Sequence, residues 1–429
     1  MMLNRRSFTG VVAGLIGAAT LGRRRDPLLP VAAADPCNLP EPIRSLQPMT
    51  DGIVAITDDE RRQRLERARR LMVEQGIGAI VLEPGSSAWY FTGVRWWPSE
   101  RPFVTVIPAR GELAYVCPGF EEQRARELIR LGDDVRVWQE DESPYRVMAG
   151  ILRDRGVAAG RVGIEEQVRY FIFDGLRKEL AGAEYVSADP VTAGCRMFKS
   201  AAELALMQRA ADISVAAFKA AFQTLHEGMT QYELSENMTA AQSRLGGAEP
   251  WALVGLGEAS AFPHGTVKPQ RLRRGDIVLL DAGCSVEGYQ SDTTRTTVFG
   301  TPNRRQVEIW NLERRAQDAA FAAARVGATC GSVDDAARKV ITDAGFGPGY
   351  QVPGLPHRTG HGIGLDGHEW TNFVRGNRTP IQPGMCFSDE PTIVIYGEFG
   401  VRLEDCLYIT EDGPRFFTPQ SPSIEQPFP

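Results

Sequence analysis

Two segments in the last third of the chain each combine strand-forming runs, a glycine-containing turn and one carboxylate on either arm. The midpoint between Asp281 and Asp292 falls in the turn that ends at Gly288. The midpoint between Glu390 and Glu404 is Gly397 itself. Opposed residues of an antiparallel pair have Cβ atoms about 4.5–5.5 Å apart, so each hairpin is expected to bring two carboxylates together. Since such carboxylates repel each other, the pattern predicts an antiparallel sheet built around a cation.

Histidines are concentrated in the same part of the chain. Three of the five lie within twelve residues, as His357, His361 and His368, and glycines separate them. Each carboxylate pair alone could be ordinary solvated or turn-capping charge, but the pairs and this run together favour a metal site. Four carboxylates and a histidine suit two divalent ions, with Mn, Co, Fe or Zn allowed by ligand type. Two ions about 3.5–4 Å apart share a hydroxide that is nucleophilic at neutral pH.

Composition narrows the class of protein. Of the 429 residues, 43% are hydrophobic and 24% are charged, and the formal net charge is -6. These values exclude a disordered chain, a fibrous repeat and a polytopic membrane protein, and an acidic chain is a poor candidate for binding nucleic acid. The seven cysteines form no C-x-x-C pair, so we expect small buried side chains rather than a disulfide framework or a zinc ribbon.

The first 34 residues have the pattern of a twin-arginine export signal. Arg5 and Arg6 precede an apolar stretch over 11–21, and Ala32-Ala33-Ala34 offers a cleavage site. The apolar stretch is shorter than the roughly 20 residues that span a bilayer. We therefore predict export to the periplasm or the medium, with no membrane association after cleavage; the alternatives are a disordered basic terminus or an uncleaved anchor. Residues 35–56, rich in proline, are interpreted as a tether.

The rest of the chain divides near residue 195. Residues 57–194 alternate strands with helices, which predicts an α/β domain: helices over about 58–75 and 120–131, and strands over about 79–82, 103–108, 113–117, 135–138 and 184–187. Residues 195–420 are expected to be α+β, with helices outside an antiparallel sheet. Capping-box patterns at Ser200 and Thr230 predict helices to about 225 and 245, and Ser332 predicts one over about 333–344.

Five blocks of the second domain resemble the pita-bread metallopeptidases, most closely their Xaa-Pro aminopeptidase and prolidase branch, and the resemblance spans nearly all of 55–415. The blocks are Phe262-Pro-His264-Gly, Leu280-Asp281-Ala-Gly, Ser291-Asp292-Thr-Thr-Arg295-Thr, the run from His357 to His368, and Asp389-Glu390-Pro with Gly400-Val-Arg402-Leu-Glu404-Asp405. This resemblance implies a creatinase-like α/β N-terminal domain over 57–194 and an α+β pita-bread catalytic domain over 195–420.

The resemblance also assigns roles to residues. It implies that the two metal ions are held by Asp281, Asp292, His361, Glu390 and Glu404. Glu390 is in addition the expected proton shuttle. His264 and His368 are expected to hydrogen-bond the substrate and the tetrahedral intermediate, and His357 to line the specificity pocket. Arg402 is expected either to contact the substrate carboxylate or to orient a ligand carboxylate.

The implied activity is hydrolysis of Xaa-Pro bonds at peptide N-termini or in dipeptides, with two divalent ions, manganese foremost, and as a homodimer or homotetramer. Alternatives within the fold are a methionine aminopeptidase, a small-molecule amidinohydrolase or sulfonium lyase, and a non-catalytic protein that recognises partners. One departure from the family pattern is Thr392, where Glu-Pro-Gly-Ile-Tyr is usual. The aromatic Trp96-Trp97-Pro98 loop is interpreted as packing in the first domain or as reaching a neighbouring subunit's site.

Overall fold

A computed structural model describes residues 39–429. The predicted export signal, its cleavage site and Cys37 lie outside the described residues. The described part of the tether begins with a short helix, α1 (Glu41–Arg44), and it is held against the second half of the chain. The Met49 N–H donates to the Leu245 carbonyl at 2.8 Å, Arg209 donates to the Met49 carbonyl at 2.7 Å, and Ile43 is fully buried.

The first half contains a six-stranded mixed sheet, which agrees with the predicted α/β domain; five of its strands were predicted, and Arg161–Ile164 was not. Its strands are Ala79–Leu82 (β1), Val104–Pro108 (β2), Ala114–Pro118 (β3), Asp134–Trp138 (β4), Arg161–Ile164 (β5) and Glu184–Ser187 (β6). Their order is β4-β3-β2-β1-β5-β6. Successive residues of β1 enter two different cores: Ile80 and Leu82 pack in one, Ala79 and Val81 in the other. The sheet is therefore covered on both faces, as in other α/β domains.

Within the described residues, seven α-helices belong to this half or precede it. After α1 they are Asp58–Gln75 (α2), Ser86–Thr92 (α3), Glu122–Leu128 (α4), Pro144–Asp154 (α5), Tyr170–Glu179 (α6) and Asp189–Arg196 (α7). The first long one begins as predicted, because the Thr57 side chain accepts a hydrogen bond from the Glu60 N–H and Gly76 ends it in a left-handed conformation.

The second half contains an antiparallel sheet of nine strands and a separate two-stranded hairpin. Its strands are Ala248–Leu256 (β7), Ile277–Val286 (β8), Tyr289–Gln290 (β9), Thr293–Val298 (β10), Gly360–Gly362 (β11), Glu369–Phe373 (β12), Cys386–Asp389 (β13), Thr392–Ile395 (β14), Phe399–Arg402 (β15), Glu404–Thr410 (β16) and Gly413–Phe416 (β17). The main order is β12-β11-β13-β16-β10-β8-β7, while β14 pairs with β15 and forms an isolated bridge from Val394 to Gly354.

Four helices accompany this sheet: Ala201–Phe222 (α8), Gln231–Leu245 (α9), Arg304–Ala323 (α10) and Cys330–Asp343 (α11). The capping boxes at Ser200 and Thr230 are formed as predicted. The predicted start at Ser332 is wrong, because Thr329 caps α11 and accepts from the Ser332 N–H. Helix α10 was not predicted, although Asn303 and Gln306 form a capping box at its start.

The two carboxylate hairpins differ in how well their register was predicted. Asp389 pairs with Asp405 in the sheet and Thr392 pairs with Arg402 beyond it, which is the register that opposes Glu390 to Glu404. The predicted opposition of Asp281 to Asp292 is wrong, because Asp281 pairs with Thr294. A tight turn at Glu287-Gly288, with φ of 49° and 82°, shifts the pairing by two residues.

Two further expectations concern cysteines and membranes. The cysteines of the described part, from Cys117 onward, are all buried and free, as predicted. No helix within 39–429 has the length and apolar character that a membrane crossing needs.

Candidate metal centre

Three buried side chains converge from three strands of the second half. Asp292 immediately precedes β10, His361 lies in β11 and Glu404 begins β16. One ligand atom from each lies within 4.8 Å of the others. No other group of three or more such side chains was found at this spacing in the described part of the chain. The pattern-based prediction of a metal site is thus matched by a side-chain cluster of suitable size.

Asp281 and Glu390, the other two predicted ligands, border the same cluster. His361 Nε2 lies 3.2 Å from Glu390 Oε1 and 3.6 Å from Asp292 Oδ2. Asp281, in the middle of β8, receives a short hydrogen bond from Arg402. All five predicted ligands therefore line one cavity, although the hairpin register around Asp281 differs from the prediction.

The donor set fits divalent cations by its unmet hydrogen bonds and its charge. Asp281 Oδ1 and Asp292 Oδ1 are buried and have no hydrogen-bond partner among residues 39–429. Burial raises the pKa of Asp281, Asp292 and Glu404, and repulsion from neighbouring carboxylates raises it further. A positive ion is the group that allows several buried carboxylates to stay ionised side by side.

Within the cluster, the pKa values of Glu390 and His361 are shifted in opposite directions. Burial alone would raise the pKa of Glu390, but the hydrogen bond and positive charge of His361 hold it well below its usual range. His361 Nδ1 donates to the Gly362 carbonyl, 3.1 Å away, and Nε2 faces the carboxylates of Glu390 and Asp292. Fixing the second ring nitrogen on a carbonyl is the usual way in which a protein orients a metal-binding histidine.

Arg402 joins the ligand carboxylates on the side away from His361. Besides Asp281, its Nε donates to Thr294 Oγ1 at 2.9 Å, and Thr294 Oγ1 in turn donates to Glu404 Oε2 at 2.6 Å. Its Nη1 donates to the Pro263 carbonyl at 3.2 Å. Both roles considered for this arginine remain compatible with its position, since it holds two ligand carboxylates and also lines the cavity.

The remaining predicted histidines surround the cluster. His264 is exposed at the cavity wall. The His368 ring lies against that of His361, with ring centroids 3.9 Å apart and the planes inclined by 44°, and its Nδ1 lies 3.2 Å from the Arg358 guanidinium. Desolvation in the cleft and the charges of His361 and Arg358 lower the pKa of His368 to about 4. Both ring nitrogens of His357 are hydrogen-bonded, to the Arg358 carbonyl and to Thr392.

A buried ionic cluster holds the loop that carries His368, and sequence reasoning did not find it. Arg196, at the end of α7, donates to Asp366 at 2.6 Å and to Glu369 at 2.5 Å. Lys199 donates to Glu369 at 2.9 Å, and Ser86 donates to Asp366. Burial alone would raise the pKa of Glu369, but Arg196 and Lys199 lower it to about 2. Arg196 and Glu369 are 173 positions apart in the sequence, and no local motif predicts such a contact.

The cavity above the cluster has a volume of about 920 Å³ and draws on both halves of the chain. The first half contributes Trp89, Arg95 and Trp96, and the second half contributes Glu249 and Trp251 among others. Trp96 also stacks on Phe103 at 4.4 Å between ring centroids, so this ring of the aromatic loop packs within the first domain and faces its own chain's cavity. Trp97 is 82% exposed.

Comparison with known proteins agrees with this architecture. The model of metallopeptidase family M24 matches residues 205–411, and that of the creatinase/prolidase N-terminal domain matches residues 64–198. An uncharacterized peptidase of Schizosaccharomyces pombe is 36% identical over 396 residues, which cover 87% of this chain and 85% of that protein. The chain belongs to metallopeptidase family M24.

Two further relatives of this M24 protein carry more specific names. The Xaa-Pro dipeptidase of Lactobacillus delbrueckii is 30% identical over 371 residues, covering 84% of this chain and 98% of that protein. The crystal structure of dipeptidase PepE from Mycobacterium ulcerans superposes with a TM-score of 0.80 at 31% identity, covering 86% of this chain and 99% of that one. The predicted fold class, a creatinase-like α/β domain followed by a pita-bread domain, is confirmed.

Proposed function

We propose that this M24 metallopeptidase is an Xaa-Pro dipeptidase that works with two divalent metal ions, manganese being the first to test. The observation that carries the proposal is the buried set of four carboxylates and His361 at the base of a cavity that His264, His357 and His368 also line. The names of the relatives at 30% identity and above support the substrate class. The set would be Asp281, Asp292, His361, Glu390 and Glu404.

Different residues of the chain have different roles in the proposed hydrolysis. Bound divalent ions supply Lewis acidity and a nucleophile active at neutral pH. Glu390 is the proton carrier: its carboxylate takes a proton from the attacking water and passes it to the departing proline nitrogen. His368 is a hydrogen-bond donor, because Arg358 can only donate to its Nδ1 and the proton therefore resides on Nε2. With His264 it faces the carbonyl oxygen on which negative charge develops.

The proline preference follows from what the leaving residue lacks. An Xaa-Pro bond has no N–H on the proline side and a fixed ring. A pocket wall that offers no acceptor for an N–H favours this bond over ordinary peptide bonds. His357, with both nitrogens already hydrogen-bonded, has that property.

The proposal extends to where and how the enzyme acts. The Arg5-Arg6 motif and the Ala32-Ala33-Ala34 site support export by the twin-arginine route to the periplasm or the medium. A folded enzyme that takes up its metal before export suits that route. The proposed assembly is a homodimer or homotetramer, with peptides as the substrate and no nucleic-acid partner.

One assay tests the substrate class and the role of Glu390 together. The purified protein is stripped with chelator, restored with Mn²⁺ and given Ala-Pro, Ala-Pro-Ala and Ala-Ala side by side. Cleavage of Ala-Pro alone supports the dipeptidase, whereas release of Ala from Ala-Pro-Ala identifies an aminopeptidase. Failure to cleave any of them after metal restoration contradicts the proposal and points to the small-molecule branch of the fold.

Glu390→Gln removes the proton carrier and is expected to lower kcat by about 10²–10⁴-fold, the usual contribution of general acid–base catalysis. Glu308→Gln makes the same chemical change on the exposed face of α10, where the side chain is 52% exposed. It is the matched control and should leave kcat unchanged. Equal activity of the two variants would contradict the role given to Glu390.

A further inference from the structure

The imidazole of His357 has no free hydrogen-bonding atom. Its Nδ1 lies 2.7 Å from the Arg358 carbonyl oxygen, and its Nε2 lies 3.0 Å from Thr392 Oγ1. A carbonyl oxygen only accepts, so Nδ1 must carry a proton. In a neutral ring Nε2 is then the acceptor, and the Thr392 hydroxyl donates to it.

Other features of the site agree with this assignment. Burial lowers the pKa of His357, which favours the neutral ring. The other acceptor near the Thr392 hydroxyl is the Glu390 carbonyl, which is 3.4 Å away and thus at the long end of the hydrogen-bond range. Thr392 is 1% exposed, so its hydroxyl is shielded from water and has to find its hydrogen-bond partner inside the protein.

We propose that Thr392 is a specificity-determining positioning residue, whose hydroxyl occupies the one acceptor nitrogen of His357 and so leaves no acceptor on this wall for a substrate N–H. An ordinary residue after the scissile bond then brings an N–H that loses its water and finds no partner, which is costly. Proline brings none. This role of Thr392 rests on the proposed Xaa-Pro specificity, because it would increase the preference for proline.

Two substitutions separate the hydroxyl from the shape of the side chain. Thr392→Val keeps the volume and branching but removes the donor, so His357 Nε2 becomes a free acceptor within the pocket wall. Thr392→Ser keeps the donor and loses only a methyl group. If the hydroxyl matters through His357, the valine variant should change substrate preference and the serine variant should restore it.

The kinetic test measures kcat and KM for Ala-Pro and Ala-Ala with the Mn²⁺ enzyme. In Thr392→Val the ratio of kcat/KM for Ala-Pro over Ala-Ala should fall about three- to tenfold, the discrimination that one net hydrogen bond supplies. Most of the change should come from a lower KM for Ala-Ala. Thr392→Ser should keep the wild-type ratio. A valine variant that loses both activities in proportion would overturn the inference, because a packing defect lowers both alike.

A second measurement needs no turnover. Nitrogen-15 NMR of the histidines in the diamagnetic zinc-loaded protein, with His357→Phe for assignment, shows which ring nitrogen carries the proton. The wild type should have Nδ1 protonated and Nε2 hydrogen-bonded, and Thr392→Val should leave Nε2 with the signal of a free acceptor. A proton on Nε2 in the wild type overturns the inference.

The two failures can be told apart. If wild-type protein does not prefer Ala-Pro over Ala-Ala, the proposed function fails, and the NMR result still decides whether Thr392 occupies His357. If the wild type prefers Ala-Pro while Thr392→Val keeps that preference and gains a free Nε2, the proposed function stands and the inference about Thr392 is wrong.

Discussion

Replacing Arg196 by methionine should loosen the loop that carries His368, because this arginine is its main ionic support. Its side chain is 10% exposed and donates to Asp366, Glu369 and Ser87. Methionine keeps the length of the apolar stem and removes all three hydrogen bonds. The loop would then be held chiefly by Lys199 and Ser86.

The size of the effect follows from what each acid retains. Removing one partner of a buried ion pair costs about 3–5 kcal/mol, because a charge is left uncompensated. Glu369 keeps Lys199 at 2.9 Å, and the Asp366 side chain is 30% exposed, so water replaces part of the loss. We therefore expect the free energy of unfolding to fall by about 2–3 kcal/mol, below that range.

Urea denaturation measures this loss, and steady-state kinetics measure its consequence for catalysis. Arg304→Met is the matched control, since that arginine pairs with Glu308 at the surface with 93% of its side chain exposed; its urea midpoint should be unchanged. Because His368 lies between Asp366 and Glu369, kcat for Ala-Pro should fall more than KM rises. Arg196→Lys, which keeps a cation, should recover part of both losses.

Two results would refute this reasoning about Arg196. A stability change no larger than that of Arg304→Met would mean that removing Arg196 leaves no buried charge without a partner. A full stability loss with unchanged kcat would mean that the loop keeps His368 in place without Arg196, and that the cluster serves the fold alone.

Two further predictions concern pH and the tight turn of the first hairpin. Since the pKa of Glu369 is lowered from 4.5 to about 2, its contribution to stability is complete above pH 4.5 and is lost as pH falls toward 2. The stability of Glu369→Gln should therefore fall less than that of the wild type over this interval. Parallel stability–pH profiles of the two proteins would contradict the assignment. Gly288→Ala should destabilise the protein more than Gly228→Ala. Both glycines have φ above 80°, but a Cβ at Gly288 would lie 1.9 Å from Trp89, whereas a Cβ at Gly228 would have no atom of residues 39–429 within 4 Å. Equal urea midpoints of the two variants would contradict this.

The approach of the four carboxylates was predictable because antiparallel pairing is a local rule. The register of the Glu390 and Glu404 hairpin follows from its turn at Gly397. The Asp281 and Asp292 hairpin is shifted by two residues, because Glu287 and Gly288 make a two-residue turn. The error left the site intact, since side chains alternate with a period of two and a shift of two keeps Asp281 and Asp292 on one face. A shift of one would have turned one of them away from the cavity.

Other features lacked such a rule or had one that was overlooked. Helix α10 has a capping-box pattern at Asn303 and Gln306, and this signal could have found it. The start of α11 depends on choosing Thr329 over Ser332 as its cap, and both residue types are favourable there. The contact of Arg196 with Glu369 joins the end of α7 to the start of β12, which only the packed fold brings together.

The two kinds of residue in the site therefore depend on different parts of the chain. Asp281, Asp292, Glu390 and Glu404 lie on or directly beside strands of one antiparallel sheet, so their approach requires only that this sheet form. His368 lies on a loop that is hydrogen-bonded by Arg196 and Ser86, both within the residues that match the creatinase/prolidase N-terminal domain. The creatinase-like domain therefore does more than line the cavity. It holds the loop of His368 beside a cluster of carboxylates that belongs to the second half of the chain.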